Sequence, residues 1–283
     1  MRNPFLIERD RYLQIAGDRA ADYRTAEPFP HIVLEDFLPP ELGRQMIGEY
    51  RSPDDPRWKR FNDPLSIKLA TNGAEDLEPL SQTVLQMFGS APFLEFLERL
   101  TGIEGLIPDP WFEGGGLHQI PRGGFLKIHA DFNRHRKLRL DRRINVLWYL
   151  NEDWLEEYGG RLELWDREMT HPVQKILPVF NRCVIFNTTD WAYHGHPDVL
   201  TCPEGRTRKS IALYYYTNGR PEEERSEDHS TLFQVRPEEQ ERMRSWKYRL
   251  QLGSSNALEH MASLAHKPAG LLRWISQKIR PRH

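Results

Sequence analysis

Cysteine is scarce. A chain of 283 residues carries two, Cys183 and Cys202. That excludes a disulfide framework and a thiolate zinc site, so any metal must be held by His, Asp or Glu. Long apolar runs are missing too. No stretch approaches the ~18 consecutive apolar residues of a membrane-spanning helix. The start, MRNPFLIERDRYLQ, breaks into charge too early for a signal peptide, so a cytoplasmic location is expected. Net charge is also small, −2, which gives no reason to expect nucleic acid over the surface. What remains, 39% hydrophobic and 28% charged residues, fits one large globular domain or one domain with an appendage.

The opening stretch reads as a short, charged, amphipathic segment. PFPHIVLEDFL (28–38) is a strand bounded by prolines. PPELGRQMIGEYR (39–51) starts with prolines, which suit a first helical turn. LEPLSQTVLQMFGS and APFLEFLERLTG place apolar residues three and four apart and predict two more helices before Gly102. From residue 111 the pattern changes. WFEGGGLHQIPRGGFLKIHADF reads as strand, glycine-rich turn, strand. RRINVLWYLN (142–151), GRLELWD (160–166), NRCVIFN (181–187) and RKSIALYYYT (208–217) are short, β-branched and aromatic runs. Strands at this spacing indicate a sandwich or jelly roll. The expected architecture is α+β: a domain over residues 1–220, with N-terminal helices packed on one sheet of a β core spanning 111–217. The acidic stretch at 220–230 reads as a linker or solvated loop. EEQERMRSWKYRLQL and HKPAGLLRWISQKIRPRH look helical, so 221–283 is expected to be a linker and a basic helical C-terminal extension. Leu271, Leu272, Trp274, Ile275 and Ile279 lie among Lys and Arg, which would also suit a membrane surface or a partner at 267–283. Short basic ends are common, and a helix docked on the catalytic domain is the preferred expectation.

The chain holds 11 His. His129 and Asp131 sit in FLKIHADFN (125–133), a strand-like run in which alternate side chains share a face. A second His-x-Asp at His196-Pro197-Asp198 shows how readily the tripeptide arises by chance. Its surroundings are more specific. NTTDWAYHGHPDVL (187–200) follows a strand and carries His194 and His196, and Arg208 opens the last strand soon after. Two imidazoles and one carboxylate on one face of a metal leave three positions open, as non-haem Fe(II) oxygenases require. An Arg at a strand start can grip a distal carboxylate with two hydrogen bonds. Alternation puts Asn145, Leu147 and Tyr149 on one face of their strand, and Ile144, Val146 and Trp148 on the other, under the helices. Arg208, Ser210, Ala212 and Tyr214 share a face, so Ser210 is placed to support Arg208. On residues alone, Tyr149 reads as a sheet aromatic and Arg208 as a solvated charge beside Arg206 and Lys209. His31, His118, His135 and His171 read as surface or satisfied core histidines, with His118 the first exception to look for. Glycines 114–116 suit a hairpin turn better than a phosphate cradle, since no helix clearly follows.

At these residues the sequence resembles the prolyl-hydroxylase type of Fe(II)/2-oxoglutarate dioxygenases, from about 117 to 217, with a weaker echo in PFPHIVLEDFLPPEL. The best-matching piece is RRINVLWYLNEDWLEEYGGRLELWD: a strand ending Tyr-Leu-Asn, a Trp three residues on, then Gly-Gly and another strand. The resemblance implies a double-stranded β-helix (jelly-roll, cupin-like) core. It implies His129, Asp131 and His194 as iron ligands, with His196 the rival for the third place. Arg208 and Tyr149 match residues that bind the far carboxylate of 2-oxoglutarate, with Ser210 beside them, and Leu162 matches a pocket-lining leucine. Some members carry a tyrosine ten residues before the first His, where this chain has Gln119. Gln119, Asn145 and His196 are thus the substrate-pocket candidates. The implied activity is C–H hydroxylation coupled to decarboxylation of 2-oxoglutarate to succinate, with Fe(II) as cofactor and ascorbate as reductant. Retention of Asp131 argues against halogenation, which requires its loss. The implied substrate is a prolyl residue in a peptide or a small molecule, with PDPWFEGGGLHQI forming a lip. Two other classes use the same residues: a cupin-like metalloenzyme without 2-oxoglutarate, which has no need of Arg208, and a catalytically silent binding domain.

Overall fold

The computed structural model describes residues 7–240. The helices expected further on, and the contact considered for 267–283, lie outside the described residues. The first half supplies helices α1 (Arg9–Arg24), α2 (Pro40–Gly48), α3 (Pro79–Met87) and α4 (Ala91–Thr101). Among them run strands β1 (His31–Leu34), β2 (Lys59–Asn62) and β3 (Ser66–Ala70). Proline opens α2 and α3, where its missing N–H costs nothing and its fixed φ is already helical. Gly102 stops α4 with φ 76°, a left-handed conformation that glycine adopts without strain.

The second half is β-rich. It runs through β4 (Ile107–Pro108), β5 (Gly116–Pro121), β6 (Phe125–Ala130), β7 (Asp141–Tyr149) and β8 (Leu162–Trp165). It continues with β9 (Pro172–Ile176), β10 (Cys183–Asn187), β11 (His194–His196), β12 (Thr207–Thr217) and β13 (Leu232–Phe233). All neighbours are antiparallel, in the order β1-β10-β7-β12-β5-β3-β6-β11-β8-β9. The sheet curls on itself into a double-stranded β-helix.

Its two faces have different fates. Ile144, Val146 and Trp148 are fully buried against the helices, in a core shared with Phe88, Phe93, Phe96, Leu97 and Tyr215. Each such side chain contributes about 1.5–3 kcal/mol through burial. On the opposite face Tyr149, Leu162, Leu164, Val184 and Phe186 form a smaller cluster beside Leu147. The alternation expected for this strand is therefore the alternation found.

Two features escape the sequence reading. The β2–β3 hairpin (KRFN paired with SIKLA) has strands too short and too charged to show a two-residue period. The acidic segment at 220–230 is exposed over residues 221–228, yet it is tethered. Arg143 pairs with Glu224 at 3.1 Å, and His229 Nε2 meets Asp190 at 2.9 Å. Asn133 donates to the Glu227 carbonyl at 2.8 Å, and β13 then joins the edge of β6. The compact unit accordingly extends to Arg236. Among the described residues no helix is long and apolar enough to cross a membrane.

Candidate active site

His129 lies near the end of β6, Asp131 just beyond it, and His194 opens β11, where it stands opposite His129 in the ladder. Their ligand atoms all lie within 4.8 Å of one another. The two imidazoles are held the same way. His129 Nδ1 is 2.8 Å from the Lys127 carbonyl and His194 Nδ1 is 2.9 Å from that of Ala192. Those carbonyls can only accept, so each Nδ1 carries the proton and each Nε2 keeps its lone pair. The Nε2 atoms face Asp131, at 3.7 Å from Oδ1 for His129 and 3.4 Å from Oδ2 for His194. Burial, then His129, lowers the His194 pKa to about 4, so this ring is a neutral donor throughout the neutral range. Phe186 packs on His194 and Phe233 on His129, with ring centroids 4.7 and 5.4 Å apart.

Asp131 is set by two residues of β7. Its Oδ2 accepts from Asn145 Nδ2 at 2.7 Å and lies 3.0 Å from Arg142 Nη2. Burial pushes the carboxyl up, but Arg142 and the imidazoles outweigh it and hold the group well below the usual carboxylate range. Arg142 is 1% exposed and sandwiched between the Phe132 and Tyr214 rings, at 4.5 and 3.5 Å from their centroids. It also donates to Asn145 Oδ1 at 2.7 Å. Asn145, expected to line the substrate pocket, is thus committed to positioning the carboxylate.

Arg208 is also buried. Its Nε donates to the Gly160 carbonyl at 2.8 Å, its Nη2 meets the Tyr149 hydroxyl at 3.3 Å, and the guanidinium lies 4.9 Å over the Tyr149 ring. Among the described residues no carboxylate forms an ion pair with it. Gly160 makes this contact possible, because at φ 71° a Cβ would stand 2.9 Å from Arg208 Cδ and 2.6 Å from Leu200 Cδ2. Leu162 walls the same cluster as Tyr149. Ser210 stands opposite Tyr149 across β7 and β12, on the Arg208 face; Arg208 finds its polar partners in Gly160 and Tyr149 instead.

The strand registers show what else shares this face. Ala70, His118, Ser210 and Tyr149 form one row across β3, β5, β12 and β7. His196 stands opposite Leu126, and Leu126 opposite Ser66, so Ser66, Lys68 and Ala70 project together. The ladder slips between His194 and His196. Gly195 sits at that slip, where a Cβ would press to 2.8 Å from the Lys127 carbonyl oxygen. His194 belongs to the three-atom cluster, while His196 is buried nearby with neither ring nitrogen hydrogen-bonded. Gln119 corrects an expectation. It pairs with Lys209 and Leu69, on the helix side of the sheet, and its amide donates to the Arg51 carbonyl at 2.9 Å and accepts from Thr207 at 3.0 Å. The residue that faces the pocket is its neighbour His118. Arg142 and Lys68 were missed by the sequence reading altogether.

No curated protein matches the sequence. Solved structures do. A Pseudomonas putida prolyl-4-hydroxylase aligns with a TM-score of 0.52 at 22% identity, covering 72% of this chain and 100% of the other. A Trichoplax adhaerens prolyl hydroxylase, solved with a hypoxia inducible factor oxygen degradation domain peptide fragment, aligns at 0.53 with 19% identity, covering 73% and 91%. HygX from Streptomyces hygroscopicus, solved with nickel and 2-oxoglutarate, aligns at 0.50 with 12% identity, covering 76% and 96%. These likenesses concern the fold. In sequence, the 2OG-Fe(II) oxygenase superfamily profile matches residues 115–216, the stretch that carries every residue of the His129 cluster and Arg208. Residues 115–216 therefore belong to the 2OG-Fe(II) oxygenase superfamily, on a double-stranded β-helix that is prolyl hydroxylase-like in fold.

Proposed function

We propose that this chain hydroxylates a C–H bond, with His129, Asp131 and His194 holding Fe(II) and Arg208 and Tyr149 binding the far carboxylate of 2-oxoglutarate. One observation carries the reading: an open His/Asp/His cluster shares a sheet face with a buried guanidinium that has no carboxylate partner. A buried charge left unpaired is costly, so Arg208 calls for an anion that the fold itself does not supply. The donor set also fits the metal. Two neutral imidazoles with free Nε2 lone pairs and one ionised carboxylate suit a divalent ion of intermediate softness, on one face only. Iron with 2-oxoglutarate supplies the oxygen activation that hydroxylates substrate while the keto acid becomes succinate.

The chain's own contribution is positional. The Lys127 and Ala192 carbonyls fix the imidazole tautomers, and Arg142 with Asn145 fixes the carboxylate. Leu162, Phe186 and Phe233 exclude water around them. The substrate is a prolyl residue or a small molecule. Ascorbate as reductant and a cytoplasmic setting complete the proposal, the latter in keeping with two free, buried cysteines.

The test is anaerobic addition of Fe(II) and 2-oxoglutarate to purified protein, watching for the weak visible charge-transfer band of a chelated keto acid. The band should appear in the wild type and vanish in Asp131→Ala. In Arg208→Ala it should require at least about tenfold more 2-oxoglutarate. Metal binding without a band would instead favour a cupin-like enzyme that does not use the keto acid.

A further inference from the structure

Resting on that reading of the site, we infer that the pocket face holds a second anion position, built by Lys68 with His118 and separate from Arg208, to which the primary substrate presents a carboxylate. Lys68 is on the pocket face by register, two residues from Ala70, which stands opposite His118. Its ammonium is drawn toward the Phe61 ring, 4.9 Å from the centroid, and makes no ion pair among the described residues. His118 offers the complementary group. One of its ring nitrogens is taken by the Gly114 carbonyl, and Nε2 is buried without a partner.

The position is distinct from that of the co-substrate. Lys68 rises from β3 and Arg208 from β12, with β5 running between them. The two cations therefore reach this face from different strands. Burial also pulls the Lys68 ammonium down to about 8, against the opposing pull of Asp131.

Charge decides which ligand belongs there. Of the charged groups on this face, Asp131 is negative and is matched by Arg142, while Arg208 and Lys68 remain positive. A divalent metal and a dianionic keto acid cancel, so the pocket is still positive once both are bound. One ammonium beside one neutral imidazole suits a monoanion, a carboxylate, better than a phosphate dianion. A prolyl ring within a peptide chain offers no such group. A free acid, a C-terminal residue or an acidic side chain does.

The test is calorimetric. Protein loaded with Mn(II) and 2-oxoglutarate is titrated with N-acetylglycine, with its neutral amide N-acetylglycinamide, and with inorganic phosphate. N-acetylglycine should bind, and the amide and phosphate at least about tenfold more weakly. Lys68→Met should lose about tenfold or more for N-acetylglycine, and Lys68→Arg should keep most of it. The affinity of Lys68→Met for 2-oxoglutarate should stay within about twofold of wild type. Equal binding of acid and amide, no binding of the acid, or a preference for phosphate would overturn the inference. So would a loss of 2-oxoglutarate affinity in Lys68→Met as large as that in Arg208→Ala, which would assign Lys68 to the co-substrate. Failure of the underlying reading shows separately, as wild-type protein that does not take up 2-oxoglutarate. The same anion titration on metal-free protein then still reports on Lys68.

Discussion

Replacing Arg142 by Met separates two roles that a charged neighbour of a metal ligand can play. In the metal-free protein Arg142 is the counter-ion of Asp131, with side chains 1% and 12% exposed and 3.0 Å apart. Removing one partner of such a pair leaves a buried, uncompensated carboxylate and typically costs about 3–5 kcal/mol. Met fills the slot between Phe132 and Tyr214 with similar volume, so little of that loss should come from packing. Once a divalent cation sits on Asp131, the counter-charge is supplied from the other side. Arg142 and the metal then repel one another through the shared carboxylate. The loss in metal-saturated protein should be smaller by about 2 kcal/mol, which by linkage means that the variant binds metal some thirtyfold more tightly. Denaturant unfolding of both proteins, in chelator and in saturating Mn(II), measures all four corners of the cycle. An equal or greater loss in Mn(II) would refute the charge argument and make Arg142 chiefly an orienting residue.

Other expectations follow from the same geometry. Burial lowers the pKa of His118 to about 3, that of His194 to about 4 and that of His196 well below the ordinary value. Each folded value lies under the unfolded one near 6.5, so the unfolded chain takes up protons first on acidification. Stability of the metal-free protein should therefore be fullest above about pH 6.5 and fall below it, by up to about 1.4 kcal/mol per pH unit for each ring. Unfolding midpoints that do not change between about pH 7.5 and pH 5.5 would contradict this. Gly160→Ala forces a Cβ to within 2.9 Å of Arg208 Cδ, so 2-oxoglutarate affinity should drop about tenfold while metal affinity holds. Trp148→Ala removes a fully buried ring and leaves Asn181 Oδ1 without its indole donor, costing about 3–5 kcal/mol in thermal or denaturant unfolding.

How much of this was legible beforehand depends on strand parity. His129 and Asp131 announced a shared face because they lie two apart at the end of β6, and Arg208 because alternation runs unbroken from it through Ser210 and Ala212 to Tyr214. The helix-side and pocket-side residues of β7 from Ile144 to Tyr149 could be sorted in the same way, and the structure sorts them identically. The rule fails where the ladder slips. Counting back by twos from Asn145 puts Arg143, not Arg142, beside Asp131. The structure places Arg142 there because the β7–β12 register shifts between Tyr215 and Tyr216: Tyr215 faces Ile144, and Tyr216 faces Arg142. One inserted residue turns the neighbouring arginine inward.

Gln119 failed for a related reason. Its distance of ten residues from His129 was carried over from a family pattern without the parity of β5, which assigns the pocket to His118 and the helix side to Gln119. Lys68 was invisible because a five-residue strand with a central lysine looks like surface until β3 is known to lie between β5 and β6. These residues share a property that the ligands lack. Their roles depend on which strand lies alongside, a long-range fact, whereas the ligand set depends mainly on spacing within its own strands. Lys68 and His118 belong to the inferred substrate position and not to the metal cluster. Substrate preference should therefore respond to changes at Lys68 and His118 long before it responds to anything in the His129 cluster.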